Sequence, residues 1–163
     1  MPRIQLQNLD GRIVYVATVY HLGRPGAETD AVTLQRHDLG LGPVREALEP
    51  QIKQAVITVE LSEYQLSRLG QALLGVINEL KQYEMAAGRS AVPGFSEAVQ
   101  RLFPEVRDES GAALDLVQHT VMLHRRLGAA IRDAEAAVRA AHEEQGQRER
   151  ERERRPWWKV WQR

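Results

Sequence analysis

A short strand that runs directly into a long helix, Ala55–Arg89, constrains the fold more than any other stretch of this sequence. Val56–Leu61 is dense in β-branched residues and alternates in the manner of a strand. Ser62, followed three positions later by Gln65, has the spacing of a capping box, in which each side chain accepts from the backbone N–H of the other. These residues predict a helix that begins just after Ser62, and Gly88 predicts its end.

Two apolar stripes predict two long helices. The first recurs at alternating spacings of three and four: Leu66, Leu69, Leu73, Val76, Leu80, Tyr83 and Ala87. The second begins near Gly111 and has the same spacings: Leu116, Thr120, Leu123, Leu127, Ala130, Ala134, Ala137 and Ala141. Each spacing is typical of one apolar helix face. A second helix that continued to Arg155 would be about 65 Å long, so its end must project, bend back or pack on a second copy.

The first forty residues contain candidate strands. Asp10-Gly11 separates the apolar runs Ile4–Leu9 and Arg12–Leu22, which predicts a hairpin with a type I′ turn. The second run is apolar on both faces, so we expect it to be a central strand or one that meets a partner subunit. Ala31–His37 alternates and is a third candidate strand.

Two short helices complete the prediction. Pro43 is placed to open a helix over Val44–Leu48, and Phe95–Phe103 predicts another that stops at Pro104. The fold class predicted from this order is α+β, with a small antiparallel sheet of three to four strands followed by two long helices and a short intervening helix. We divide the chain into an α+β domain with a helical hairpin, residues 1–145, and a charged helix extension with a basic Trp-rich tail, residues 146–163.

Composition restricts the chemistry open to this chain. Its 163 residues suit one domain, and the absence of cysteine excludes disulfides, thiolate metal sites and cysteine nucleophiles. The first residues lack the apolar run of a signal peptide, and no apolar segment approaches the roughly 18 residues of a membrane span. We therefore expect a cytoplasmic protein.

Charge is distributed unevenly along the chain. The net charge is zero, but residues 146–163 carry +4 and the remaining residues carry −4. Such asymmetry is typical of an arm that contacts an anionic partner. A solvated helix end rich in Glu and Arg gives the same pattern.

All three tryptophans lie within five residues of the tail, beside basic groups. The candidate partner-binding residues are Arg155, Trp157, Trp158, Lys159, Trp161 and Arg163. Trp and Arg are enriched at the energetic centres of protein interfaces, so docking on a protein, including the chain itself, is the first interpretation. A membrane surface and single-stranded nucleic acid are the alternatives, because both bind aromatic rings and cations together.

Metal and catalytic motifs are absent from the sequence. Asp115 and His119 are four positions apart, a spacing that two metal ligands on a helix use, but no His-Glu-x-x-His pattern accompanies them. Gly23–Gly26 lacks the residues of a phosphate-binding loop, and no Gly-x-Ser-x-Gly is present. We predict no metal, no cofactor and no catalytic residues. An enzyme with an active site assembled from distant residues remains an alternative.

The segment Val56–Leu73 resembles the strand and first helix of ribbon-helix-helix DNA-binding proteins. In that family the strand pairs across a dimer and enters the major groove, so the resemblance implies a nucleic-acid-binding protein. The helical stripe runs on through Gly75, where the family has a break. Thr58 and Glu60 would face outward, and Glu60 would repel phosphates.

Two extended apolar stripes leave more apolar surface than a small sheet covers, and a homodimer would bury it. The predicted oligomer interface is Leu66, Leu69, Leu73, Leu116, Leu123 and Leu127. We therefore expect a non-enzymatic interaction protein that self-associates through its helices and docks a partner with its tail. The basic arm and the strand–helix segment make a nucleic-acid-binding protein the alternative.

Overall fold

A computed structural model describes residues 3–154, which form a mostly helical α+β chain with one small sheet. The elements are β1 (Arg3–Gln7), α1 (Asn8–Gly23), α2 (Ala31–Leu34), α3 (Gly42–Leu48), β2 (Val56–Glu60), α4 (Glu63–Met85), α5 (Phe95–Leu102), α6 (Glu105–Asp108) and α7 (Ala112–Arg154). Single 3₁₀ turns lie at Ala27–Asp30 and Glu49–Gln51.

The predicted strand–helix stretch is confirmed as β2 and α4. Ser62 Oγ accepts from the backbone N–H of Gln65 at 3.1 Å, and Gln65 Oε1 accepts from the backbone N–H of Ser62 at 2.9 Å. The Gln65 amide nitrogen also donates to the carbonyls of His37 and Gly40. The residue that caps the helix therefore also anchors the loop before α3. The helix ends at Met85, earlier than predicted, and Gly88 follows with φ +78°.

The predicted hairpin at Asp10-Gly11 is wrong, because both residues lie inside helix α1. Every residue from Ile13 to Val19 is buried, and a run that is apolar on all sides suits an enclosed helix as well as an enclosed strand. A Cβ on Gly11 would lie 2.2 Å from the Ile57 side chain of β2. This glycine serves close packing of helix on strand and does not form a turn.

Within residues 3–154 the sheet has two strands instead of the predicted three or four. β1 pairs with β2 in antiparallel register, with Gln5 opposite Thr58 at the centre. The third candidate strand, Ala31–His37, is wrong because its first half is helix α2. Its backbone hydrogen bonds are local, from Gln35 to Val32 and from Arg36 to Thr33, so the segment needs no neighbouring strand.

Helices α4 and α7 are the two predicted long helices, and they pack as an antiparallel pair. The backbone N–H of Gly111, just before α7, donates to the Glu84 carboxylate near the end of α4. At the other end the rings of Tyr64 and His142 lie 5.9 Å apart. Gly70 of α4 faces Ile131 of α7, where a Cβ would lie 2.6 Å from its side chain. The helices therefore approach closely where this glycine lies.

Helices α3 and α5 lie where the sequence predicted short helices. Pro43 lies in the first turn of α3, and α5 begins at Phe95 and ends one residue before Phe103. Helix α6 lies in the polar stretch that follows Pro104, where the sequence did not predict a helix. Helices α3 and α5 pack against α1, whereas α6 contacts α5 and α7.

We expect Gly75→Ala to lower the free energy of unfolding by about 1–3 kcal/mol, the usual cost of overpacking a core. Its Cβ would lie 2.1 Å from the Tyr20 ring, which already packs edge-on against Phe95. Gly128→Ala is the matched control, since its Cβ meets only the mobile end of Arg132 at 3.3 Å. The control should be neutral or more stable by up to about 1 kcal/mol. Equal urea midpoints for the two variants would contradict this packing.

Candidate interaction sites

The end of α7 extends beyond the body of the protein. The last fully buried residue of the helix is Ala134, and the Tyr64–His142 contact marks the level at which α4 begins. From Arg139 to Arg152 every residue is exposed except the half-buried Gly146. The twelve residues after His142 extend the helix by about 18 Å. We call residues 139–154 the arm.

The arm is stabilised by contacts within itself. Arg148 and Glu144 form an ion pair at 2.5 Å, one turn apart, and the Gln145 amide donates to Glu149 at 3.3 Å. Pairs of this spacing stabilise an exposed helix by about 0.2–0.5 kcal/mol each. A helix that is polar on all sides and laced with such pairs suits a spacer in solvent. The geometry therefore favours an arm that separates its end from the body.

The six predicted tail residues lie outside the described part of the chain. These are Arg155, Trp157, Trp158, Lys159, Trp161 and Arg163. Their role stays a prediction. What the described residues give is their point of attachment, the end of helix α7 at Arg154.

The predicted oligomer interface is packed inside a single chain. Five of its leucines are at most 5% exposed and the sixth, Leu127, is half-buried: Leu66, Leu69, Leu73, Leu116 and Leu123. A second copy could not contact these five side chains without opening the body. Self-association stays a prediction, and it would have to use other residues.

The β1–β2 ribbon presents a polar outer face. Arg3, Gln5 and Gln7 of β1 are exposed, and Thr58 and Glu60 of β2 are half-buried and exposed. Each strand leads into a long helix, β1 into α1 and β2 into α4, and these helices pack together. The ribbon is thus made within one chain, unlike the ribbon-helix-helix family, where the strand pairs across a dimer.

An ion pair lies on the outer face of the ribbon, and its two charges cancel. Arg3 Nη2 lies 2.7 Å from Glu60 Oε1, across the antiparallel pair. The sequence interpretation found Thr58 and Glu60 and missed β1 as their partner. The alternation of Arg-Ile-Gln-Leu-Gln over Arg3–Gln7 was the available signal.

A second cluster joins three elements that the sequence did not connect. Arg101 Nη1 of α5 donates to Glu49 Oε1 at 2.8 Å, and its guanidinium lies 5.1 Å from the centre of the Tyr15 ring. The hydrogen bond from Arg101 lowers the pKa of Glu49, while burial and the hydrogen bond with Glu49 raise the pKa of Tyr15. Glu49 and Arg101 are 52 positions apart, so no local spacing predicts their contact.

The described histidines differ in their surroundings. Asp115 and His119 are both exposed, and among residues 3–154 no group of three His, Asp or Glu side chains could hold an ion. His21 is different because it is only 3% exposed. Burial, with smaller contributions from Arg24 and Arg68, lowers the pKa of His21 to about 3. It is therefore neutral in the folded protein at pH 7.

Within the described residues, no helix has both the length and the hydrophobicity needed to cross a bilayer. No protein-family model, no curated protein and no solved structure matches this chain. Function is therefore inferred from the residues of this chain alone.

We expect the stability of the protein to fall as the pH drops below about 6.5, because the unfolded chain then protonates His21 and the folded chain does not. The loss approaches about 1.4 kcal/mol per pH unit and ends near the folded pKa of about 3. Between pH 7 and pH 5, His21→Leu should remove about 2 kcal/mol of this dependence. Urea unfolding at both pH values measures it.

His119→Gln is the control, because this exposed histidine lies on α7. It should keep the pH dependence of the unchanged protein. Identical pH dependence in His21→Leu and His119→Gln would contradict the assignment.

Proposed function

We propose that this chain is a non-enzymatic interaction protein that presents its C-terminal tail to a protein partner on a helical arm. The single observation that carries the proposal is the arm, which extends α7 beyond the level at which α4 begins and is exposed from Arg139 to Arg152 apart from the half-buried Gly146. A largely exposed helix end contributes little to the core, which favours another role for it.

The chemistry of the tail favours a protein partner. Trp157, Trp158 and Trp161 supply large apolar surfaces, and Trp and Arg dominate the energetic centres of protein interfaces. Attaching these residues to a helix that ends about 18 Å beyond the start of α4 favours contact with another molecule. Anionic membrane and single-stranded nucleic acid remain outcomes that the experiment distinguishes.

We expect a tagged full-length chain to retain a protein partner that a chain ending at Arg155 loses. Replacing Trp157, Trp158 and Trp161 together by Ala should cause the same loss, because the rings supply the buried area. Replacing Lys159 and Arg163 by Gln is the matched control and should weaken retention only modestly. Retention is measured by pull-down, identification of the retained protein and binding of the purified pair.

Salt and lipid distinguish the alternatives. Binding through rings should hardly change with salt concentration, whereas nucleic-acid binding falls steeply as salt rises. Retention that is unchanged in the truncated chain, or binding only to anionic vesicles or to single-stranded DNA, would contradict the proposal.

Self-association is a second part of the proposal. The large apolar side chains exposed on α4 and α7 are Leu74, Met85, Leu114 and Met122. A dimer formed through the helices would use this surface, since the predicted leucines pack within the chain. Light scattering on the full-length and the truncated chain gives the mass and shows whether it depends on the tail.

The β1–β2 ribbon favours a second candidate function, binding of duplex DNA. The major groove admits a two-stranded antiparallel ribbon, and Arg and Gln are side chains that hydrogen-bond to guanine and adenine edges. Arg3, Gln5 and Gln7 provide these groups on one exposed face. Glu60 opposes the interaction, because its carboxylate would approach phosphates. No comparable observation favours an enzyme with a dispersed site.

If the ribbon binds DNA, Gln5→Ala should weaken binding by about 1–3 kcal/mol, the range for one good base contact. Glu60→Gln should strengthen it, since it removes a negative charge from the same face. Lys81→Gln is the control, because Lys81 is exposed about 27 Å along α4 from its start. Fluorescence anisotropy with a labelled duplex at low salt measures all three. If Glu60→Gln and Lys81→Gln behave alike, the ribbon is not the binding surface.

A further inference from the structure

We propose that a cleft between the start of α1, the turn around Lys53 and the end of α5 binds a small phosphate monoester. The cleft has a volume of about 690 Å³, and its cationic lining consists of Arg12, Lys53 and Arg101. This volume lies within the usual range of small-molecule sites. The inference is independent of the arm and the tail.

The three walls of the cleft are fixed to one another. Asn8, the first residue of α1, donates its side-chain amide to the carbonyls of Ile52 and Gln54, at 2.9 and 2.6 Å. These two carbonyls flank Lys53, so the turn that carries this lysine is held against the start of α1. One helical turn later, Arg12 Nη1 donates to the Leu102 carbonyl at the end of α5, at 2.5 Å.

Arg12 is held in position but keeps free donor capacity. Its guanidinium lies 4.8 Å from the centre of the Phe103 ring, and its Nε is enclosed. A guanidinium has five N–H donors. Among the described residues the Arg12 side chain uses one of them, to the Leu102 carbonyl, and its enclosed Nε is closed to a ligand, so the other Nη N–H groups are the available donors. A stacked and anchored guanidinium is pre-organised for a planar contact with phosphate oxygens.

The charges of the cleft leave two cations uncompensated. Glu49 is the carboxylate of the lining, and Arg101 binds it at 2.8 Å. The neighbouring carboxylate at the start of α1, Asp10, is bound by Arg126 at 2.6 Å. Arg12 and Lys53 form no ion pair among the described residues. The cleft therefore presents a net charge of about +2.

This charge selects the class of ligand. A phosphate monoester carries about −1.5 to −2 at pH 7, which matches two free cations, whereas a single carboxylate leaves one unmatched. Arginine provides a fork for two phosphate oxygens, and lysine provides a point charge. Pro50, Ile52 and Leu102 line the remaining surface and offer apolar contact to the organic part of the ligand.

The test uses the full chain with inorganic phosphate and adenosine monophosphate as probes, and with chloride at matched ionic strength. We expect saturable binding of both phosphates by calorimetry, accompanied by a rise in the thermal unfolding midpoint. Lys53→Gln should weaken binding about fivefold, the effect of losing one exposed charge contact. Lys53→Arg should retain it. Lys53 is exposed, so these variants do not disturb the core.

Lys81→Gln is the matched control, because it removes the same charge from an exposed position on α4 outside the cleft. It should bind both probes as the unchanged chain does. Equal binding by Lys53→Gln and Lys81→Gln would overturn the proposal, as would the absence of binding to either probe. Binding of duplex DNA without binding of the small phosphates would also overturn it and would favour the ribbon.

Discussion

The enclosure of helix α1 on all sides is the constraint on which the rest of the structure depends. The helix packs against both strands and against α3, α4, α5 and α7, and Val14 and Ala17 have no exposed surface. Because a buried helix satisfies its own backbone hydrogen bonds, it can occupy the centre of a small protein without a sheet around it. Each buried polar side chain of α1 then has its own solution. Thr18 donates to the Tyr15 carbonyl, and His21 stays neutral.

Local sequence signals predicted the parts of the fold whose determinants are local. The cap formed by Ser62 and Gln65 lies within four residues, and the stripes of α4 and α7 repeat over many turns. Helix α1 was predicted to be a strand. Its surroundings are apolar on every side, so its sequence lacks the single apolar stripe that indicates a helix. Gly11 illustrates the difficulty, since a glycine after Asp predicts a turn and here permits close contact with Ile57. That contact joins distant parts of the chain and cannot be read locally.

The candidate sites show the same difference between residues that are adjacent in sequence and residues that only the fold brings together. The tail was predicted because its tryptophans and cations are adjacent in sequence, and the arm followed from the length of the second stripe. The cleft was missed because Arg12, Lys53 and Arg101 belong to three elements that only the folded chain brings together. The interface leucines show a limit of sequence spacing. Their spacing identified an apolar face correctly, but the spacing does not say whether a helix of the same chain or of another covers it.

Because α7 is one uninterrupted helix from the core to Arg154, it fixes a direction as well as a distance. Each residue added to or removed from the arm would turn its far end by about 100° about the helix axis and displace it by about 1.5 Å. A change of seven residues would nearly restore the original heading while altering the reach by about 10 Å. The number of residues in the arm thus sets the direction, about the helix axis, in which its end points. Exchange of Glu for Arg within the arm would leave its length and direction unchanged, as long as the number of residues is kept.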